Sequence, residues 1–185
     1  MRRRRHKQAI HQPEIPFSGG QKAAALLGLF LVMLLLISTS LIYPQLPDQI
    51  PTHINLDGQV NDTLGKASLF MIPALSLVLC LFMLKLSKLP KLYNYRIKLP
   101  HDVSQQLYIL ARRLILSLNL VISLLMIYIQ LGTILMAKNI SKGLSPFILL
   151  IFLAFILLSL SIYLKHSRAL LPQNIKYSMK GKHLR

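Results

Sequence analysis

Residues 23–43 read AAALLGLFLVMLLLISTSLIY, an uncharged run of 21 residues that decides what kind of protein this is. A helix needs about 20 apolar residues to cross the hydrocarbon core of a bilayer. Because that core holds no water, each peptide group must be hydrogen-bonded within its own segment, which favours a helix for a run of this length. The stretch therefore predicts a transmembrane helix.

Three later runs have the same character. Residues 67–86 meet a charge only at Lys85, and residues 114–137 and 144–164 carry none. None of the runs alternates as a barrel strand would. With 54% hydrophobic residues and a mean hydropathy of +0.52, the composition excludes a soluble globular enzyme as the default. With Cys80 as the single cysteine, the chain can form neither an internal disulfide nor a Cys-rich zinc site.

We predict an all-α membrane protein in which four transmembrane helices form two hairpins with one ordered extracytoplasmic loop. The third helix is expected to begin outside the membrane, because Asp102 and Gln105 match a capping box, and to pass Arg112 and Arg113 at the interface. The predicted segments are a basic cytoplasmic N-terminal segment (1–22), a four-helix membrane domain (23–164, with helices at about 23–43, 67–86, 103–137 and 144–164 and an outer loop at 44–66) and a basic cytoplasmic tail (165–185).

Positive charges predict the orientation. Six precede the first helix, seven lie between the second and third, and six follow the fourth, whereas the two outer connections hold three. The positive-inside rule then places both termini in the cytoplasm. The formal net charge of +17 belongs to that face, where anionic lipid headgroups are the expected partner. Because no nucleic-acid-binding motif accompanies the charge, no nucleic acid is expected.

The arginines at residues 2–5 offer one alternative, the n-region of a signal peptide. The apolar run that follows is too long for an h-region, and no A-x-A site closes it. We therefore expect an uncleaved first helix.

The outer loop is predicted to be ordered. Its prolines, Pro44, Pro47 and Pro51, fix the backbone at three points. From residue 50 to residue 57 the chain alternates, with Ile50, Thr52, Ile54 and Leu56 on one side and Pro51, His53, Asn55 and Asp57 on the other. Asp57-Gly58 is a strong turn signal. The candidate recognition residues of the loop are Pro47, Pro51, His53, Asn55, Asp57, Gly58, Asp62 and Lys66.

Three interpretations of this loop stay open. Its polar side chains could bond the backbone in turns and pack over the helix ends. They could recognise a partner outside the cell. His53 and Asp57, with Asp62 as a third ligand, could hold a metal, but the spacing matches neither a zinc site nor a calcium loop. We expect no metal, no cofactor and no catalytic residue.

Polar residues inside the predicted third helix, Asn119, Ser123 and Gln130, share one face. Facing lipid would leave their polar groups unpaired, so we expect them to face other helices. They could act as interhelical hydrogen-bond partners or line an aqueous pathway. In the second helix Pro73 is expected to kink the backbone, and Cys80 to be a small buried residue.

One stretch resembles a known family. Residues 46–58 read LPDQIPTHINLDG, and Asp62 and the pair Gly65-Lys66 follow. This pattern is similar to an uncharacterised bacterial membrane domain, domain-of-unknown-function family 1648, which forms the first part of SdpI-type toxin-immunity proteins. Residues 93–95 and 106–113 also resemble its short four-helix form, so the likeness spans about residues 26–164. The second half of the immunity proteins is not found.

The resemblance implies a multi-pass protein of the bacterial plasma membrane. We expect a recognition function for its outer loop, in peptide-toxin immunity or envelope sensing, with an extracellular peptide or another membrane protein as partner. A transporter or transporter-accessory subunit is the alternative, and a metal-assisted membrane enzyme is a third hypothesis, although we expect no enzyme. Self-association into a homo-oligomer is compatible with so small a bundle.

Overall fold

The computed structural model describes residues 15–54, 60–89, 101–141 and 143–171. Four long helices pack together, and each is long and apolar enough to cross a membrane. They are α1 (Gly19–Ile42), α2 (Met71–Ser87), α3 (His101–Ala137) and α4 (Pro146–Leu170). The predicted four-helix membrane fold is confirmed. A small antiparallel hairpin of β1 (Gln49–Ile54) and β2 (Val60–Gly65) is added to it.

Helix α1 begins four residues before the predicted start because a capping box forms there. The Ser18 hydroxyl accepts from the Gln21 N–H at 3.3 Å, and the Gln21 side chain accepts from the Ser18 N–H at 3.2 Å. These bonds satisfy backbone donors that the first helical turn leaves open. At the other end a 3₁₀ turn, Tyr43–Gln45, carries the chain out of the helix.

The segment predicted as an outer loop is the β1–β2 hairpin. Ile50 pairs with Leu64 and Pro51 with Thr63, but the register shifts on both sides of His53. These irregularities interrupt the predicted alternation within residues 50–54, and the rest of the stretch, residues 55–57, lies outside the described residues. The second strand was not predicted, because Asn61, Asp62 and Gly65 are depleted in strands and were interpreted as turn residues.

Pro73 lies near the start of helix α2. A 3₁₀ segment, Lys66–Phe70, leads into the helix, so Pro73 lies in its first turn. Proline is tolerated there because the first N–H groups of an α-helix have no partner within the helix. The helix type changes before the proline, and the kink predicted at Pro73 stays a prediction.

Helix α3 is the centre of the fold. It packs against α1, α2 and α4, and it also contacts β1. Its 37 residues make it about 55 Å long at 1.5 Å per residue, well beyond the thickness of a hydrocarbon core. Helix α4 has no buried residue, so its large apolar side chains point outward.

The bundle has two distinct ends. At the hairpin end, Leu46, Ile50, Leu69, Ile134 and Ala137 form a buried apolar cluster, with Ile42 and Tyr43 packed against it. At the opposite end, which we call the arginine end, the starts of α1 and α3 meet the end of α2 around Arg112. The end of α4 lies beside Arg113 at this same end.

Candidate functional site

The hairpin is fixed to the bundle by its first strand. Ile50 is only 1% exposed and belongs to the apolar cluster under the hairpin. Strand β1 lies against α3, whereas β2 makes its main contacts with β1 alone. Strand β2 is therefore the outer strand, and Asp62, Thr63 and Leu64 are exposed on it.

Lys66 closes the base of the hairpin. Its backbone N–H donates to the Asp48 carbonyl at 2.8 Å, and its ammonium group lies 3.2 Å from an Asp48 carboxylate oxygen. The same ammonium group lies 5.3 Å from the centre of the Tyr43 ring. Tyr43 in turn lies against Phe70, with 5.3 Å between ring centres. This predicted loop residue thus joins the chain before β1 to the chain after β2.

The free edge of the hairpin follows from this geometry. Lys66 bonds Asp48 across the strands, and hydrogen-bonded pairs alternate with unbonded ones along an antiparallel ladder. The N–H of Thr63 therefore points away from β1. It donates to Oδ1 of Asp62 at 2.8 Å. The Asp62 carboxylate therefore occupies this one N–H of the free edge.

The predicted loop residues fall into three groups. Pro47, Asp62 and Lys66 are described with their side chains, and Pro47 and Asp62 are exposed. Pro51 and His53 belong to β1. The remaining three, Asn55, Asp57 and Gly58, lie outside the described residues.

The described residues include no group of three His, Cys, Asp or Glu side chains that could hold a metal ion. Asp57, one of the ligands considered from the sequence, lies outside them. The expectation that the loop holds no metal therefore stays a prediction.

Gln130 forms the first polar contact inside the bundle. It is 1% exposed, and its amide nitrogen donates to the Thr39 hydroxyl at 3.0 Å and to the Leu69 carbonyl at 3.2 Å. In an α-helix the Leu69 carbonyl would accept from the N–H of residue 73, but Pro73 has none. A side chain of α3 thus donates to a carbonyl of the 3₁₀ segment for which Pro73 cannot act as an α-helical donor.

Asn119 forms the second polar contact, at the crossing of three helices. It is 2% exposed, and its amide nitrogen lies 3.7 Å from the Cys80 sulfur of α2. A Cβ on Gly28 of α1 would overlap that same nitrogen, so the glycine makes room for the asparagine. Ser123 is also buried and donates to the Asn119 carbonyl at 2.8 Å. The burial expected for the polar face of α3 is observed, while its functional role stays a prediction.

Some buried polar atoms have no partner among the described residues. They are the hydroxyls of Ser68 and Ser76 and the side-chain oxygen of Gln130. Each is an acceptor that a water or a small polar group could use.

Arg112 is the main polar centre of the arginine end, and its side chain is 2% exposed. Its predicted position at the membrane interface stays a prediction. Its guanidinium stacks on Phe17 and Tyr108, at 4.2 and 4.4 Å from the ring centres. Its five N–H donors match five neutral oxygens. The acceptors are the carbonyls of Ser87 (3.2 Å), Pro16 (3.3 Å) and Ile15 (3.0 Å), the Gln21 side chain (3.4 Å) and the Tyr108 hydroxyl.

Neighbouring contacts complete this centre. The Tyr108 hydroxyl also donates to the Ser87 carbonyl at 3.1 Å, at the last residue of α2. That carbonyl is at the negative end of a helix dipole, which favours a cation. Arg112 thereby joins α2 and α3 to the segment before α1.

The sequence did not predict that four residues position the helices by their contacts: Gln21, Gly28, Tyr108 and Arg112. One signal was available, since Tyr108 and Arg112 are four residues apart on one helix face. Gly28 gave no comparable signal, because a glycine within an apolar run is common in membrane helices.

Comparison with known proteins gives one match. No curated protein and no solved structure matches the chain. The matched segment begins within α1, includes both strands of the hairpin and ends within α2. This agrees with the resemblance inferred from residues 46–58, whereas the likeness proposed for residues 93–113 lies outside it. Residues 28–77 of this multi-pass protein match the family model described as a domain of unknown function, DUF1648.

Proposed function

We propose that this protein is a membrane-anchored recognition protein whose hairpin binds a peptide outside the cell. The observation that carries the proposal is the way the hairpin is held. The Ile50 side chain is buried at the bundle end, and Lys66 joins both bases of the strands, so β2 is presented on a fixed support. A preorganised surface loses less conformational entropy when a partner binds.

Charge supports the orientation in this proposal. At the arginine end the described residues include the basic side chains of Lys22, Lys85, Lys88, Arg112, Arg113, Lys165 and Arg168, whereas the hairpin end has Lys66 and Lys138. The positive-inside rule then directs the hairpin to the outer side of the plasma membrane, with both termini in the cytoplasm.

The outer strand offers a mode of binding. Leu64 is 45% exposed, and the edge of β2 carries backbone groups that point away from β1. An extended peptide can add a strand to such an edge, with backbone hydrogen bonds for affinity and side-chain pockets for specificity. A membrane-active peptide toxin or an envelope peptide is the proposed ligand, in immunity or in sensing.

A protection assay tests the proposal. A sensitive bacterium would express the wild type or Leu64→Asp at matched membrane levels and then be exposed to a panel of secreted membrane-active peptides. We expect the wild type to protect against at least one peptide and Leu64→Asp to lose that protection, because the variant places a charge on the binding edge.

Ile140→Asp is the matched control, because Ile140 is an equally apolar residue at the same end of the bundle and is 69% exposed outside the hairpin. A second variant, His53→Ala/Asp57→Ala, tests the residues predicted from the sequence. Equal protection by all variants, or none by the wild type against any peptide, would contradict recognition by the hairpin.

A second candidate function is transport, or support of a transporter. The observation that favours it is the set of buried polar atoms that have no partner among the described residues, which includes the Gln130 side-chain oxygen and the Ser76 hydroxyl. Proteoliposomes with an internal pH dye would test proton flux. Flux that Gln130→Leu abolishes in a folded protein supports transport, and a leak equal to that of protein-free vesicles excludes it for protons.

A further inference from the structure

Two adjacent arginines at the arginine end have opposite environments. Arg112 is buried with all five donors bonded, whereas Arg113 is exposed. Within the part of the chain that the structure describes, Arg113 makes no hydrogen bond or ion pair. The carboxylates whose side chains the structure describes, those of Asp48 and Asp62, are at the hairpin end of the bundle, far from Arg113.

Arg113 lies at the mouth of a groove between α1 and α3. The groove has a volume of about 340 Å³. Its polar part is formed by Ser18, Gln21, Arg113 and Ser117. Its apolar wall is formed by the half-buried Ala24 of α1 and Leu120 of α3, with Leu116, which is 2% exposed, behind them. Both leucines belong to the uncharged run that starts at residue 114. The groove therefore leads from a cation at the interface into the hydrocarbon layer.

We propose that this groove binds one anionic phospholipid, with the headgroup phosphate on Arg113 and an acyl chain along Ala24 and Leu120. The guanidinium presents donors in a fork that matches phosphate geometry. The apolar wall matches the chain of the same molecule, which a free phosphate could not use. This inference does not depend on the proposed function of the hairpin.

A second groove, between α3 and α4, also includes Arg113 and contains His166. Its α3 wall is formed by Gln106, Ile109 and Leu110, all of which precede the uncharged run. That wall leads away from the hydrocarbon layer, so it gives an acyl chain no path. The α1–α3 groove is the better match for a whole lipid.

The absence of tryptophan makes a direct experiment possible. In Leu120→Trp the single tryptophan reports from the groove wall, and in Leu26→Trp it reports from a lipid-facing site of α1 that is 67% exposed. Each variant would be reconstituted in vesicles that contain brominated phosphatidylglycerol or brominated phosphatidylcholine, whose bromines quench tryptophan on contact.

From the quenching of Leu120→Trp we expect a binding constant about five-fold higher for phosphatidylglycerol than for phosphatidylcholine. This ratio corresponds to the attraction of one basic residue to an anionic headgroup, about 1 kcal/mol. At Leu26→Trp we expect a ratio close to one. In the Leu120→Trp background, adding Arg113→Gln should remove the preference for phosphatidylglycerol, and adding Arg113→Lys should keep part of it. Adding Lys22→Gln should leave the preference unchanged, because Lys22 is exposed but does not line the groove.

Equal ratios at the two tryptophans, or a preference that survives Arg113→Gln, would overturn the proposal. If Leu120→Trp does not fold, as judged by circular dichroism and gel filtration, Ser117→Trp gives a second reporter in the same groove. Inorganic phosphate added in excess should not change the quenching, and displacement by it would show that a free anion, rather than a lipid, binds there.

Discussion

Different interactions stabilise the two ends of the bundle. At the arginine end one cation donates to five neutral oxygens on four chain segments, so position there depends on directional bonds. At the hairpin end an apolar cluster supports the strands, and the ion pair between Lys66 and Asp48 lies at its surface. Hydrophobic burial is non-directional, whereas a hydrogen-bond network fixes one arrangement.

This contrast indicates where apolar burial and where directional hydrogen bonds are effective. An end that extends beyond the hydrocarbon layer can use burial in water, because apolar side chains are driven together there. Between helices in lipid that drive is absent, and packing and hydrogen bonds must provide the specificity. Four substitutions test this contrast.

The largest effect is expected for Arg112→Leu. The substitution removes five hydrogen bonds, of which those to Ser87, Gln21 and Tyr108 are buried, so the free energy of unfolding should fall by about 3–5 kcal/mol. Arg112→Lys, with three donors, should lose about half of that amount. Unfolding of the purified protein by SDS in lipid-free mixed micelles measures it. Arg113→Leu is the matched control, and equal losses for the two neighbours would contradict the central role of Arg112.

Ile50→Ala should have the next largest effect, about 2–4 kcal/mol, because it opens a cavity in the apolar cluster. The loss should be local, since the hairpin contributes no spanning helix. Hydrogen exchange followed by mass spectrometry should show faster exchange in β1 and β2 with unchanged protection in the helices. The control is Leu64→Ala, at its exposed cross-strand partner. Faster exchange throughout the bundle would mean that the two ends are not separable.

Gln130→Leu should destabilise the protein by about 1–1.5 kcal/mol, near the upper end for polar contacts between membrane helices. Its acceptor, the Leu69 carbonyl, cannot receive an α-helical bond from residue 73, because Pro73 has no N–H. Pro73→Ala restores that N–H, so the double variant should recover part of the loss. SDS unfolding of both single variants and the double variant measures the coupling, and strict additivity would refute this role of Gln130.

The smallest effect is expected at the base of the hairpin. Lys66→Gln should cost less than about 1 kcal/mol, because the Asp48 side chain is 95% exposed and water screens the pair. A double-variant cycle with Asp48→Asn isolates the interaction, and 1 M NaCl should remove it. A coupling that persists in high salt would show that water and salt screen the ion pair less than the exposure of Asp48 indicates.

The spanning helices could be predicted because lipid leaves the backbone few alternatives. An uncharged run of more than 20 residues is decisive in that solvent. Strand β2 could not be predicted, since its pairing with β1 depends on contacts distant in sequence and its composition resembles a turn. An extended β1 was expected, but the shifts around His53 have no local signal.

The interior contacts were only partly predictable. The spacing of Asn119, Ser123 and Gln130 placed them on one face, and all three are buried. Arg112 and Arg113 were interpreted alike, because the sequence does not show which side of α3 meets the other helices. A rotation of about 100° per residue separates a buried cation from an exposed one.

The contact between Gln130 and the Leu69 carbonyl has a consequence for how the protein is made. A chain leaves the ribosome from its N-terminus, so α1, the hairpin and α2 are complete before α3 is synthesised. Until then, the carbonyl opposite Pro73 lacks its side-chain donor. The segment that matches the family model ends at residue 77, whereas Gln130 and Asn119 lie beyond it. The first two helices therefore reach their final packing only when a third, later helix arrives with its donors at the right depth.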